Sequence, residues 1–113
     1  MIQVYGIKNC DSVKKAIKFF KTHDLEYELF DFKTSPLPCE KISQWLKQTE
    51  IKTLFNARST TYRNLKLKEL GLDEKAQKGW LCKENLLIKR PVVEFNGELL
   101  VGFNEENYQR SFL

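Results

Sequence analysis

The chain has 113 residues, a formal charge of +4, 42% hydrophobic and 30% charged residues, one histidine and three cysteines. That length supports one domain with a self-sufficient apolar core, and Cys10, Cys39 and Cys82 show neither close pairing nor metal-ligand spacing, which argues against a zinc site and against dependence on a disulfide. Met1 leads straight into a β-like run and no stretch approaches the ~18 uninterrupted apolar residues of a membrane span, so neither a signal peptide nor a membrane helix is expected and the location is read as cytoplasmic.

Ile2 to Tyr5 reads as a strand. From Asp11 to about His23 the pattern changes to a helix, with Val13, Ala16, Ile17 and Phe20 on one apolar stripe, Lys14, Lys15, Lys18 and Lys21 on a solvated face, and Asn9 or Asp11 as its cap. No aromatic residues interleave these lysines as in a nucleic-acid-reading motif, so direct nucleic-acid binding is not expected. A second strand from about Glu26 to Asp31 completes a βαβ unit with parallel strands.

Pro36 and Pro38 then break the pattern. A helix is expected from about Cys39 to Gln48 around Ile42, Trp45 and Leu46, followed by shorter ones near Lys52 to Phe55, Tyr62 to Leu70, and in pieces from Asp73 to Leu87, with Gly71 and Gly79 as stops. Asn56 to Thr61 is a polar loop whose arginine and hydroxyls suit a ligand, and Ser59, Thr60 and Thr61 are candidate caps of the next helix. Asn96-Gly97 between Val92 to Phe95 and Leu99 to Val101 predicts a tight type I′ hairpin, and an amphipathic helix follows from Glu105 to Phe112. This order describes an α/β chain with a mixed four-stranded sheet of thioredoxin type, one domain over residues 1–113 with a helical insertion at about 33–87. Pro91 opens the third strand without removing a ladder bond, as a structural residue whose cis or trans state the sequence leaves open.

Cys10 falls at the handover from first strand to first helix. A helix N-terminus offers unpaired N–H groups and partial positive charge, which favour a thiolate and an anion alike, and Lys8 acts in the same direction. The carboxyl end of a strand is also where open α/β sheets place their chemistry. His23 is read as a helix-end residue, Trp45 and Trp80 as packing anchors, and Cys39 and Cys82 as structural cysteines.

Three separated segments resemble one family. Tyr5-Gly6-Ile7-Lys8-Asn9-Cys10-Asp11, Asn56-Ala57-Arg58-Ser59-Thr60-Thr61 and Ile88-Lys89-Arg90-Pro91, with Val101-Gly102-Phe103-Asn104 before the last helix, are similar to the arsenate-reductase-like (ArsC) thioredoxin-fold proteins, in particular their Spx and YffB branch. The resemblance covers essentially the whole chain and implies that Cys10 is the nucleophile and Arg90 the anion-binding arginine, with Arg58 as a further substrate contact. Asn9 and Ser12 are secondary hydrogen-bonding candidates beside Lys8. The alternative for each arginine is an ordinary surface or salt-bridge residue.

The function so implied is a monothiol oxidoreductase using glutathione as co-substrate, acting on an oxidised thiol or oxyanion, with no tightly bound cofactor and no metal. A Spx-like regulator that binds RNA polymerase is the alternative; Val13 excludes a Cys-x-x-Cys switch at Cys10. True arsenate reduction is the weaker reading, because Gly6 and Gly102 stand where arsenate reductases carry a histidine and an arginine.

Overall fold

The computed structural model describes residues 1–113. Strands β1 (Ile2–Gly6), β2 (Tyr27–Asp31), β3 (Val92–Phe95) and β4 (Glu98–Val101) form one sheet in the order β2-β1-β3-β4. β1 pairs parallel with β2 and antiparallel with β3, and β3 pairs antiparallel with β4. Helix α1 (Asp11–Thr22) connects the parallel pair. The result is the mixed four-stranded sheet expected from the sequence. Its contacts divide the chain into two compact units, Met1–Asp31 with Arg90–Leu113, and Phe32–Lys89.

In the first unit, β1 occupies an interior position in the sheet, so Ile2 and Val4 are buried while Gln3 between them is exposed. Val4 stands opposite Leu29 on one side and Val93 on the other. Over this sheet α1 buries Val13, Ala16, Phe19 and Phe20. Phe19 replaces Ile17 in the expected stripe; Ile17 is only half-buried. The four lysines of α1 all face solvent, as the pattern required. The hairpin turn has Asn96 at φ 50° and Gly97 at φ 77°, the paired left-handed conformations of a type I′ turn.

The last helix of the chain, Glu105–Phe112, starts at Asn104, whose side chain accepts a hydrogen bond from the Asn107 amide at 3.0 Å. It buries Tyr108 in an aromatic cluster, stacked on Phe20 at 5.7 Å and edge-on to Phe19 at 5.6 Å. Burying one such ring contributes about 1.5–3 kcal/mol. The Tyr108 hydroxyl donates to the Gly102 carbonyl at 3.0 Å.

Tyr5 and Tyr108 are expected to make this unit sensitive to alkaline pH. Burial raises the ionisation of both above the ordinary phenol value of 10.0, and at Tyr5 the hydrogen bond to the Glu94 carboxylate, 2.9 Å long, adds to it. The folded state therefore favours the neutral phenols. Their contribution to stability is complete below pH 10.0 and is lost progressively as the pH rises from there towards the higher folded values. We expect urea midpoints to fall above that pH, and Tyr108→Phe to make the fall shallower while lowering neutral stability by about 1 kcal/mol through the lost hydrogen bond. An alkaline limb of equal slope in the variant would contradict the assignment.

The second unit carries α2 (Cys39–Trp45), α3 (Ile51–Leu54), α4 (Thr60–Asn64) and α5 (Glu74–Lys83), with short 3-10 turns at Leu67–Leu70 and Asn85–Leu87. Ile42, Trp45, Leu54, Leu81 and Leu87 are fully buried. The single helix expected from Tyr62 to Leu70 is broken. Lys66 adopts a left-handed φ of 54°, which ends the turn after α4 and sends Leu67 inward to 1% exposure. Gly71, at φ 55°, ends the Leu67–Leu70 turn, as expected of a glycine stop. Gly79 is not a stop: it lies inside α5, which Asp73 caps by accepting from the Ala76 amide at 2.8 Å and which Leu81 anchors. Those contacts outweigh the cost of about 1 kcal/mol for an interior glycine.

Cys39 and Cys82 are joined in a disulfide across 43 residues, with their Cα atoms 4.9 Å apart. From the sequence Cys39 and Cys82 read as separate structural cysteines, and the structure joins them as a pair. The pairing arises because α2 and α5 pack together, bringing distant cysteines into bonding range.

Candidate active site

The site begins where β1 ends. Ile7, Lys8 and Asn9 lead out of the sheet, and the Lys8 amide donates to the Asp31 carboxylate at 3.2 Å, tying this loop to the end of β2. Asp31 is a positioning residue the sequence reading passed over; its signal was its place at the end of the neighbouring parallel strand, opposite Gly6. Cys10 then takes the N-cap position of α1, in extended conformation, and its carbonyl accepts the first helical hydrogen bond from the Lys14 amide at 2.9 Å.

No side chain caps this helix. Neither Asn9 nor Asp11 does so, contrary to expectation, because Cys10 itself holds the cap position and Asp11 already belongs to the first turn. There its carboxylate complements the helix dipole. Cys10 is the free cysteine of the chain and is half-buried. Its thiol thus stands at a helix entrance whose first N–H groups are not taken by a capping side chain. Lys8 and Asn9 are exposed beside it, and Ser12 is half-buried in the first turn.

Arg90 belongs to the same unit. It precedes the buried Pro91 through a cis peptide bond, directly before β3. Tyr5 pairs with Val92, so continuing that register sets Pro91 beside Gly6, at the end of β1 from which the Cys10 loop departs. Gly6 shows how close the elements come. A Cβ at that position would stand 2.7 Å from Val13 Cγ2 and 3.8 Å from Arg90 Cβ. Glycine is needed here for close approach, since Val13 is fully buried and its branched side chain is stiff.

Gly6→Ala is accordingly expected to lower stability by about 1–3 kcal/mol through overpacking and to reduce turnover by displacing the turn that carries Cys10. Denaturant midpoints and a thiol-exchange assay check both effects. An alanine variant with unchanged stability would mean that Val13 yields freely.

Gly102 explains another departure. Its φ is 80°, its amide donates to the Pro91 carbonyl at 2.7 Å, and its own carbonyl accepts from Tyr108. An arginine there would have to adopt a backbone conformation that side chains rarely take. The second unit holds Arg58 in an ordered, exposed loop: Asn56 Oδ1 accepts from the Arg58 amide at 3.0 Å, and the buried Ser59 caps α4 by accepting from the Tyr62 amide at 3.1 Å. His23 is exposed with its ring 4.5 Å from Phe19, Trp45 is fully buried, and Trp80 lies under the Lys83 ammonium at 4.9 Å. No group of three or more His, Cys, Asp and Glu side chains is arranged to hold a metal ion.

The sequence profile of the ArsC family matches residues 5–111. The chain belongs to the ArsC family. Among its relatives, an uncharacterized protein of Haemophilus influenzae is 42% identical over 113 residues, 99% of each chain. The global transcriptional regulator Spx of Lactiplantibacillus plantarum is 31% identical over 97% of this ArsC chain and 85% of its own length. The solved YFFB (PA3664) protein superposes with a TM-score of 0.92 at 32% identity, each chain covered over 100% of its length. These likenesses place this ArsC chain in the Spx and YffB branch and agree with the expected kinship.

Proposed function

We propose that this protein is a monothiol, glutathione-dependent thiol–disulfide oxidoreductase acting in the cytoplasm, with glutathione as co-substrate and no tightly bound cofactor. The observation that carries the reading is Cys10: a free, half-buried thiol at the entrance of α1 whose helix has no capping side chain. Cys10 as thiolate attacks one sulfur of an oxidised thiol substrate, that disulfide breaks, and the other sulfur leaves as a thiolate. The position three residues on is Val13, so no neighbouring thiol resolves the mixed disulfide. A glutathione thiolate does so, forming glutathione mixed disulfide with the substrate and releasing Cys10.

Lys8 and the first-turn amides hold the thiolate. Arg90 binds a carboxylate of glutathione or of the substrate through its planar fork, with Asn9 and Ser12 as further contacts. Arsenate reduction fits less well, since Val13 fills the space beside Gly6 and Gly102 has a backbone that disfavours arginine.

The reading is tested by incubating the protein with glutathione disulfide and locating the adduct by peptide mass spectrometry, alongside turnover of a glutathionylated peptide. Glutathione on Cys10, removed by excess glutathione, is the expected result; no adduct and no turnover would sink the proposal. Arg90→Ala should lower kcat/KM by about 10- to 100-fold, since a charge-assisted hydrogen bond contributes about 1.5–3 kcal/mol and each 1.4 kcal/mol is a factor of ten. Arg90→Lys should fall between, keeping the charge without the fork.

The likeness to Spx supports a second reading, a regulator that docks on RNA polymerase without using Cys10 chemistry. Equal retention of wild type and Cys10→Ser on purified polymerase, in a protein inactive towards glutathionylated peptide, would favour it.

A further inference from the structure

We propose that Cys39 and Cys82 form a reversible two-electron redox site, opened by small-molecule monothiols and closed by their disulfides, whose closed form clamps α2 to α5. The site lies in the Phe32–Lys89 unit and stands apart from the reading of Cys10.

Two features make the pair exchangeable. Cys39 is exposed, at the first position of α2 after Pro38, and is the side from which a small thiolate would approach the bond. Cys82 is half-buried on α5 and is the natural leaving partner. The second feature is that the bond is not what brings the cysteines together. The Leu37 amide donates to Asn85 Oδ1 at 2.8 Å, and Asn85 Nδ2 donates to the Leu81 carbonyl at 3.0 Å. One side chain thus ties the segment entering α2 to the segment leaving α5, two and three residues from the disulfide. Leu37 is buried, and Ile42, Trp45 and Leu81 are completely so. After the bond opens, these contacts keep the two thiols apposed, so reclosure is intramolecular and competes well with capture by external thiols.

The exchange balances as follows. A monothiolate attacks Cys39 Sγ, the bond to Cys82 Sγ breaks, and Cys82 leaves as a thiolate. A second monothiolate attacks the sulfur of the small thiol bound to Cys39, forming the small-molecule disulfide and releasing Cys39. Two small thiols are oxidised, the protein disulfide takes up two electrons, and the protons the small thiols gave up end on Cys39 and Cys82. Oxidation is the reverse, with the small-molecule disulfide as acceptor. A disulfide in a reducing compartment is commonly transient. Such a pair converts the local thiol balance into the firmness with which α2 is held.

The test uses the wild-type protein in mixtures of glutathione and glutathione disulfide spanning reducing to oxidising, with acid quench, alkylation and peptide mass spectrometry to separate the three cysteines. Amide hydrogen exchange is followed in the same samples. Cys39 and Cys82 are expected to pass from unlabelled to labelled together on one two-electron curve and to return when the mixture is made oxidising again. Exchange at α2 amides should quicken on reduction, with β1 and β3 amides unchanged. Labelling of both in every mixture, protection of both throughout, or independent labelling with stable glutathione adducts would each overturn the redox site. Unchanged α2 exchange across the transition would overturn the clamp.

Discussion

Cys10→Ser should abolish thiol turnover and at the same time stabilise the protein. The loss follows from the nucleophile: a serine hydroxyl is not ionised near neutrality and does not exchange with disulfides, so the rate should fall to background, roughly 10³-fold or more. Cys39 and Cys82 offer no substitute while they are bonded to each other. The gain follows from position. Cys10 holds the N-cap of a helix with no side-chain cap bond, at φ −139° and ψ 126°, the backbone in which serine caps well. A serine oxygen there accepts an amide hydrogen bond that sulfur does not make, adding about 0.5–1 kcal/mol. Cys10→Ala separates the two effects, since it removes the thiol without supplying a cap. Urea midpoints in the order serine above wild type, with alanine no higher than wild type, are the expected pattern. A serine variant no more stable than alanine would show that this side chain does not face the first-turn amides. On the proposed function, cysteine at this position keeps a nucleophile at the expense of a better cap.

The parts of this arrangement that local pattern controls are legible in the sequence. The change from the alternating Ile2 to Tyr5 run to the 3.6-residue period of α1 located Cys10 at a strand-to-helix boundary, and Asn96-Gly97 determined the hairpin because few residue pairs adopt two left-handed conformations in succession. What escaped depends on contacts between distant segments. Nothing about Lys66 marks it as left-handed; packing of Leu67 decides that. Phe19 joined the core because Tyr108 and Phe112, about ninety residues away, close over it. Gly6 was visible as a glycine, but its reason, Val13 pressing against the end of β1, exists only in the fold. In the candidate site, Cys10 could be argued from sequence physics, whereas the proximity of Arg90 to the same strand end needed the β1–β3 register. The Cys39–Cys82 bond is the extreme case. Its two cysteines are 43 residues apart, and only the meeting of α2 with α5 makes them partners.

Removing that bond should produce the largest stability loss of any change considered. In the chain-entropy account, a cross-link over 43 residues lowers the entropy of the unfolded chain by an amount worth about 4 kcal/mol at room temperature. Against a total of about 5–15 kcal/mol for an ordinary domain, this is a quarter or more of the stability. Side-chain packing contributes little to the difference, because Cys39 is exposed and Cys82 only half-buried. The effect therefore resides mainly in the unfolded state, and three routes to an open bond should converge on it. Cys39→Ala with Cys82→Ala, Cys39→Ser alone, and wild type in excess reductant should show nearly the same urea midpoint, each below oxidised wild type. The double variant should also ignore reductant. A loss well under 1 kcal/mol would mean that the unfolded chain already holds the α2 and α5 segments together without the bond, for which clustering around Trp45 and Leu81 is the physical candidate.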